Sequence, residues 1–298
     1  GGSALPPPRI YVVNGINSTG ADGQIPQDSG GFAQFLAQHG YDPNQVTGVP
    51  AIYNTNINTH LQGTNLQGTN FGGILSPIDW LTGGGAKIVN GVTGAGASII
   101  NGGSGLANTM IGVGEVVAEY TAGENGRYTQ ETYNFIQQDL QRNPLMPGQS
   151  VMLIGHSGGG AIVTNLTPML ENRLGVDVSG VVTMGSPVAN GDAAMRYAPY
   201  TNITDRFDFG QPLIRSEEGR AFLAPGTVAG ITNPSWLPAI APGILLADQA
   251  ARDPGVRYET TNSGHRNPLD AHGSYWSSNE VINILRNNYP QLQNHLNP

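Results

Sequence analysis

The 298-residue chain contains no cysteine. That excludes disulfides, thiolate-bound metal and thiol nucleophiles together, and leaves the redox compartment open. Charge is scarce as well. Asp, Glu, Lys and Arg make up 11% of the residues, against about a quarter in an average soluble protein. The formal net charge is −8, and the 13 Lys and Arg are scattered rather than clustered. A nucleic-acid backbone is bound by rows of cations that displace its counterions, so that class of partner is excluded, and electrostatic docking on anionic lipid fails for the same reason. No apolar run reaches the roughly 18 residues of a membrane span. His-Glu-x-x-His and Cys/His ligand spacings are missing. Gly83-Gly84-Gly85-Ala86-Lys87 lacks the leading strand and the Ser/Thr of a phosphate-binding loop, and Gly94-Ala95-Gly96 is not followed by the third glycine of a dinucleotide-binding turn. Neither a metal nor an organic cofactor is expected.

Glycine is abundant, at 43 residues, and Asn, Gln, Ser and Thr supply most of the polarity. Many secreted bacterial enzymes share this profile, so a secreted or extracytoplasmic location is the expectation. Gly1-Gly2-Ser3 reads as a linker and Pro6-Pro7-Pro8 as a stiff leader. The length suits one α/β domain, residues 1–298, with insertions. Apolar runs at 9–13, 49–53, 151–154 and 181–184, with more polar ones at 201–207 and 256–260, read as strands. Helical patterns lie between them. Residues 28–39 have Asp28 or Ser29 as N-cap and Gly40 as the stop. Thr129 caps a helix with Tyr133, Ile136 and Leu140 on one face, ended by Asn143-Pro144. A helix after Ser157 runs toward Pro168, which should kink or end it. Ser277-Ser278-Asn279-Glu280 reads as a capping box opening the last helix. This alternation predicts a mostly parallel central sheet with helices on both faces.

Two segments interrupt that pattern. Residues 55–120 form a Gly-rich insertion in which Leu61-Gln62-Gly63-Thr64-Asn65 is repeated as Leu66-Gln67-Gly68-Thr69-Asn70. Within it, 87–120 carries a helical stripe from Val89 to Tyr120, partly of glycine, which reads first as helix packed closely on the body and second as a lid over a substrate pocket. Residues 213–254 form a Pro-rich apolar insertion that suits a cap or lid.

The most informative stretch is Gly155-His156-Ser157-Gly158-Gly159, between the apolar run 151–154 and the helix-forming Ala161-Ile162-Val163. A strand, Gly-x-Ser-x-Gly and a helix make a nucleophile elbow: a turn so tight that flanking side chains collide and the serine takes strained geometry. A serine hydroxyl is a poor nucleophile until a neutral imidazole, oriented by a carboxylate, accepts its proton. With an elbow of this kind the acid and then the histidine follow the serine in the chain. His39, His60 and His156 precede it, and His295 lies at the C-terminus. His272, just before the capped helix, is preferred to His265, which reads as a solvated loop residue. Asp208, where strand gives way to Gly-x-Pro, is preferred as the acid to Asp205, whose simpler reading is an ion pair with Arg206. Asp270 suits a turn. The oxyanion needs two fixed N–H donors. Gly158 is expected to supply one, and Ile16, with Asn17 next in line, the other from the Asn14-Gly15-Ile16-Asn17 loop.

Val12-Val13-Asn14-Gly15-Ile16-Asn17, Ile154 through Ala161, Thr183-Met184-Gly185-Ser186-Pro187 and His272-Gly273-Ser274-Tyr275-Trp276 together resemble the α/β-hydrolase superfamily, in its lipase-like and GPI-inositol-deacylase-like branches. The resemblance covers residues 9–20, 128–212 and 256–288. It implies an α/β-hydrolase fold and carboxylic ester hydrolysis by a Ser–His–Asp triad without a cofactor. The two apolar insertions favour uncharged, apolar esters; the alternatives are a polyester or thioester cleaved by the same triad, and a non-catalytic binding protein on the same scaffold. The implied substrate is a small-molecule or lipid ester, at a lipid–water or polymer surface where the apolar insertions assist. Asn14-Gly15 departs from the His-Gly many lipases carry there. The oxyanion donors are backbone groups, so this weakens the subfamily assignment and leaves the mechanism intact.

Overall fold

Residues 10 to 13 show how the chain builds its core. Ile10 and Val12 enter one apolar cluster, while Tyr11 and Val13 enter another. The same alternation runs through Val151 and Leu153 against Met152 and Ile154, and Val181 against Val182 and Met184. Successive side chains on a strand point to opposite faces, so a strand apolar at every position must be covered on both. A computed structural model describes residues 5–15, 29–49, 119, 122–186, 194–206, 208, 255–265 and 268–298. The expected strand residues 50–53 and the two expected insertions, Glu119 apart, lie outside the described residues.

Six strands are described: β1 (Arg9–Val13), β2 (Val46–Val49), β3 (Val151–His156), β4 (Val178–Met184), β5 (Tyr200–Asp205) and β6 (Arg257–Thr261). They form one sheet in the order β2-β1-β3-β4-β5-β6, and all five pairings are parallel. The helices are α1 (Ser29–Gln38), α2 (Arg127–Arg142), α3 (Gly159–Leu174), α4 (Pro268–Gly273) and α5 (Asn279–Asn288). Ile136 of α2 with Ile162, Leu166 and Leu170 of α3 covers one face. Phe32 and Leu36 of α1 with Val281, Ile282 and Leu285 of α5 covers the other. This is the parallel sheet with helices on both faces that the sequence predicts. None of the described helices is long and apolar enough to cross a membrane.

The topology also says where a site belongs. From β1 the chain goes to one side for β2 and to the other for β3. Loops leaving adjacent strands in opposite directions open a crevice at the strand C-terminal ends. Val13 pairs with Gly155 at that end, so the elbow stands at the crevice.

Three helix boundaries differ from the sequence reading, each for a local reason. α2 begins at Arg127 with Thr129 inside its first turn. The N–H groups of Tyr128 and Thr129 donate to the Glu119 carboxylate at 3.0 and 3.1 Å. A carboxylate there satisfies first-turn donors and suits the positive end of the helix dipole. α3 runs through Pro168 and ends at Gly175, which is left-handed at φ +62°. An interior proline costs a helix about 3 kcal/mol, but eleven α3 residues are buried, and their burial at about 1.5–3 kcal/mol for each large aliphatic side chain outweighs it. At α5 the capping box is not made. Ser278 caps the helix by accepting from Val281 N–H, and Glu280 accepts from Asn262 N–H at 2.7 Å. β2 starts at Val46, three residues before the expected strand.

Leu153 is fully buried at the centre of β3. Leu153→Ala is expected to lower unfolding stability by about 2–5 kcal/mol, read as a fall in the urea midpoint with the slope unchanged.

Candidate active site

The elbow follows directly from its glycines. Ser157 has φ +51°, and among the described residues it is the non-glycine residue with a positive φ. Its N–H donates to Met184 O at 2.9 Å, tying the turn to the end of β4. Glycine is required on both sides. A Cβ on Gly155 would strike the backbone of Gly159 and Gly160, and one on Gly159 would strike Val13 O and Asn14 O. Backbone atoms of a strand and a helix have nowhere to move. Gly158 occupies the N-cap position of α3, and Ser157 itself is half-buried.

The loop after β1 is held against this turn. A Cβ on Gly15 would stand 2.5 Å from Ser157 Cβ and 3.2 Å from its Oγ. Asn14 is buried, and its side-chain oxygen accepts the N–H of Ser29 at the start of α1. The asparagine thus anchors the loop while the glycine brings it against the serine. Ile16 and Asn17, the expected second oxyanion donors, lie outside the described residues.

His272 lies in the last turn of the short helix α4. Its Nδ1 lies 3.0 and 3.1 Å from the two Asp208 carboxylate oxygens. The Asp208 side chain is fully buried and that of His272 is 26% exposed. Burial alone would lower the His272 pKa. The charge of Asp208 and its hydrogen bond outweigh that loss, and the pKa rises above its ordinary 6.5. The carboxylate also fixes the tautomer: Nδ1 carries the proton donated to Asp208, which leaves Nε2 as the acceptor when the ring is neutral. Gly185, at φ +56°, makes room for the pair. A Cβ there would stand 2.7 Å from Asp208 Oδ2 and 3.1 Å from His272 Nδ1.

Of the expected residues, the structure brings Asp208 and His272 into contact and sets both beside Gly185, the neighbour of the Met184 carbonyl that holds Ser157. The Ser157 hydroxyl makes no hydrogen bond to the His272 ring among the described residues. Asp205 is turned away: its carboxylate accepts from Thr261 Oγ1 at 3.2 Å and Ser263 N–H at 2.7 Å. Those two bonds brace the end of β5 against the end of β6 and the turn that follows it. His265 is exposed, with its N–H donating to Ser263 Oγ.

Two residues were invisible as parts of this cluster in the sequence. The His156 ring packs 4.9 Å from that of His272 and 4.6 Å from that of Trp276, and its Nε2 donates to the His272 carbonyl at 2.7 Å. A carbonyl only accepts, so Nε2 carries the proton and Nδ1 is bare. That nitrogen is buried without a partner among the described residues. Burial, and then repulsion from His272, lower the His156 pKa to about 3, against smaller opposing effects of the His272 carbonyl and Asp208. His156 is therefore neutral at working pH. The second residue is Tyr275, whose hydroxyl donates to Asp208 Oδ2 at 2.6 Å. Only its spacing of three from His272 could have pointed to it. No group of three or more His, Cys, Asp or Glu suited to a metal ion occurs among the described residues.

Residues 117–207 match the family model described as a PGAP1-like alpha/beta domain. The matched span contains α2, β3, the elbow, α3, β4 and β5, and ends one residue before Asp208. Among solved structures the chain is similar to LpqC, a poly(3-hydroxybutyrate) depolymerase from Bordetella parapertussis. Identity is 15%, covering 95% of this chain and 80% of that one, with a TM-score of 0.38. No curated protein matches the chain.

Gly155→Ala tests the elbow. A methyl there would press on the backbone of Gly159 and Gly160, and overpacking of this kind costs about 1–3 kcal/mol. The expected outcome is a fall of that size in unfolding stability, read from the urea midpoint; a wild-type midpoint would show that the turn tolerates the methyl.

Proposed function

We propose that this α/β-hydrolase-like protein is a serine carboxylic ester hydrolase with Ser157 as nucleophile, His272 as general base and Asp208 as the acid that orients it. One observation carries the reading. A serine held at positive φ between glycines shares the end of the sheet with a histidine whose Nδ1 is fixed by a buried carboxylate. That combination supplies a presented hydroxyl and an imidazole in the tautomer needed to deprotonate it.

On this reading, Ser157 Oγ attacks the ester carbonyl while His272 Nε2 takes its proton. The tetrahedral oxyanion is held by backbone N–H groups, one from Gly158 and one from Ile16 or Asn17 in the loop that Gly15 brings against the serine. The imidazolium, stabilised by Asp208, then protonates the leaving alcohol. Water attacks the acyl-enzyme in the same way, with His272 again taking the proton. Resting sites often have slack contacts between nucleophile and base that tighten around bound substrate, so an unbonded Ser157 hydroxyl is compatible with this cycle. No step calls on a metal or cofactor.

An uncharged ester fits best, because a chain of net charge −8 with few cations offers little to an anionic acyl group. The apolar character of segments 55–120 and 213–254 favours fatty-acyl or hydrophobic polymeric esters over acetates. A secreted or extracytoplasmic setting accords with the low-charge, Asn- and Gly-rich composition.

Ser157→Ala is expected to remove p-nitrophenyl ester turnover and fluorophosphonate labelling together. Full turnover in that variant would end the proposal. The pH profile carries a sign. His272 works only when neutral, and its pKa lies above 6.5. Activity should therefore fall as pH drops through a midpoint above 6.5, and a midpoint at or below that value would contradict the influence of Asp208. On a panel of C2 to C16 acyl esters, kcat/KM is expected to rise beyond C4. A maximum at acetate would overturn the assignment to apolar acyl groups.

A further inference from the structure

Asp208 is held from two sides by one short stretch of chain. His272 meets it from the end of α4, and Tyr275, in the 3-10 turn Ser274–Ser277 that follows, meets the same oxygen. The Tyr275 hydroxyl has a second bond, accepting the backbone N–H of Asp205 at 2.7 Å. An N–H can only donate, so the hydroxyl must use its own proton elsewhere, and Asp208 Oδ2 lies 2.6 Å away. The direction of the O–H is thereby dictated by the backbone of β5. Tyr275 is fully buried, its ring against Gly185 and 5.7 Å from the His156 ring.

We infer that Tyr275 is a positioning residue for the proposed reaction: its hydroxyl fixes the plane of the Asp208 carboxylate and draws off part of its charge, and so sets both the aim and the basicity of His272. This rests on the ester-hydrolase reading above. A phenol donating to one carboxylate oxygen does two things that packing alone does not. It stops the carboxylate from rotating away from Nδ1, and it weakens the field that the carboxylate exerts on the imidazolium. Tyr275 can serve as that donor throughout the working range, because burial and the neighbouring Asp208 hold its own pKa well above the ordinary 10. Among the described residues, the titratable groups around His272 are Asp208 from the segment after β5, His156 from the end of β3 and Tyr275 from its own turn. His156 stays neutral, and the Asp205 carboxylate is engaged with Thr261 and Ser263. The acid limb of the pH profile therefore reads the Asp208–His272–Tyr275 arrangement.

The test uses the full chain and two changes at one position. Tyr275→Phe keeps the ring and removes the hydroxyl. It is expected to lower kcat on a p-nitrophenyl ester by about tenfold with KM unchanged, and to move the acid limb upward by about half a pH unit, since the relieved carboxylate holds the imidazolium more strongly. Site-specific 3-fluorotyrosine at position 275 keeps the shape and makes the phenol a stronger donor, so the limb should move downward. It also serves if the phenylalanine variant fails to fold. In an Asp208→Asn background, Tyr275→Phe should cost no further kcat, because the carboxylate through which it acts is gone. Limbs that coincide with wild type in both variants would overturn the inference, as would a tenfold loss that persists in the Asp208→Asn background. Wild-type protein that neither turns over esters nor labels at Ser157 would overturn the function and this inference together. Wild-type turnover with an unmoved acid limb would overturn this inference alone.

Discussion

The backbone of Ser157 is the constraint around which the rest is arranged. A bulkier residue than glycine at positive φ costs of order 1–3 kcal/mol and persists only where its surroundings leave no alternative. Here they leave none. The Ser157 N–H is bonded to the end of β4, the flanking glycines touch backbone atoms of β1 and α3, and both connecting elements are buried throughout this stretch. Relaxing the turn would mean separating α3 from β1. Strain at one residue is thus held in place by two layers of core, and the outcome is a hydroxyl presented at the crevice rather than folded back into the helix.

The charges follow the same logic. A buried carboxylate is costly unless it is paired and hydrogen-bonded, and Asp208 has an imidazole and a phenol within 3.1 Å. A second imidazole stands beside the first, and two charged rings 4.9 Å apart would repel. The fold prevents that by burying His156 and directing its Nε2 proton at the His272 carbonyl. His156 then acts as a neutral strut on the backbone of the residue it neighbours. The turn 272–276 is accordingly tied to β3 through His156, and to β5 and the Asp208 segment through Tyr275.

Much of this was legible because it depends on local rules. Strands apolar at every position read as buried on both faces, and Gly-x-Ser-x-Gly between strand and helix read as an elbow; both follow from neighbours in sequence. The choice of Asp208 and His272 rested on chain order and position near element ends, and the structure places that pair in contact. What stayed hidden depends on partners far away in the chain. Glu119 caps α2 from eight residues before its first helical residue, Pro168 survives inside α3 because tertiary burial outweighs a local penalty, and Glu280 leaves its capping box for Asn262 N–H. His156 was passed over because the rule selecting the base looks only after the serine. Tyr275 stood in the 272–276 stretch without a role attached to it, since a phenol bonded to a carboxylate 67 residues away has no sequence signature.

Asp205 shows why such a cluster needs residues without chemistry of their own. Its carboxylate joins β5 to Thr261 and Ser263 at the end of β6, the strand that leads into α4 and His272. Its backbone N–H directs the Tyr275 hydroxyl, and its carbonyl accepts the Asp208 N–H at 3.0 Å. One residue at the C-terminal end of β5 is therefore bonded to the segment that follows β6, to the phenol of Tyr275 and to the backbone N–H of Asp208. In sequence it competes with Asp208 for a single role. In the fold the two carboxylates are complementary: one braces the strand ends so that the other meets its imidazole at hydrogen-bonding distance.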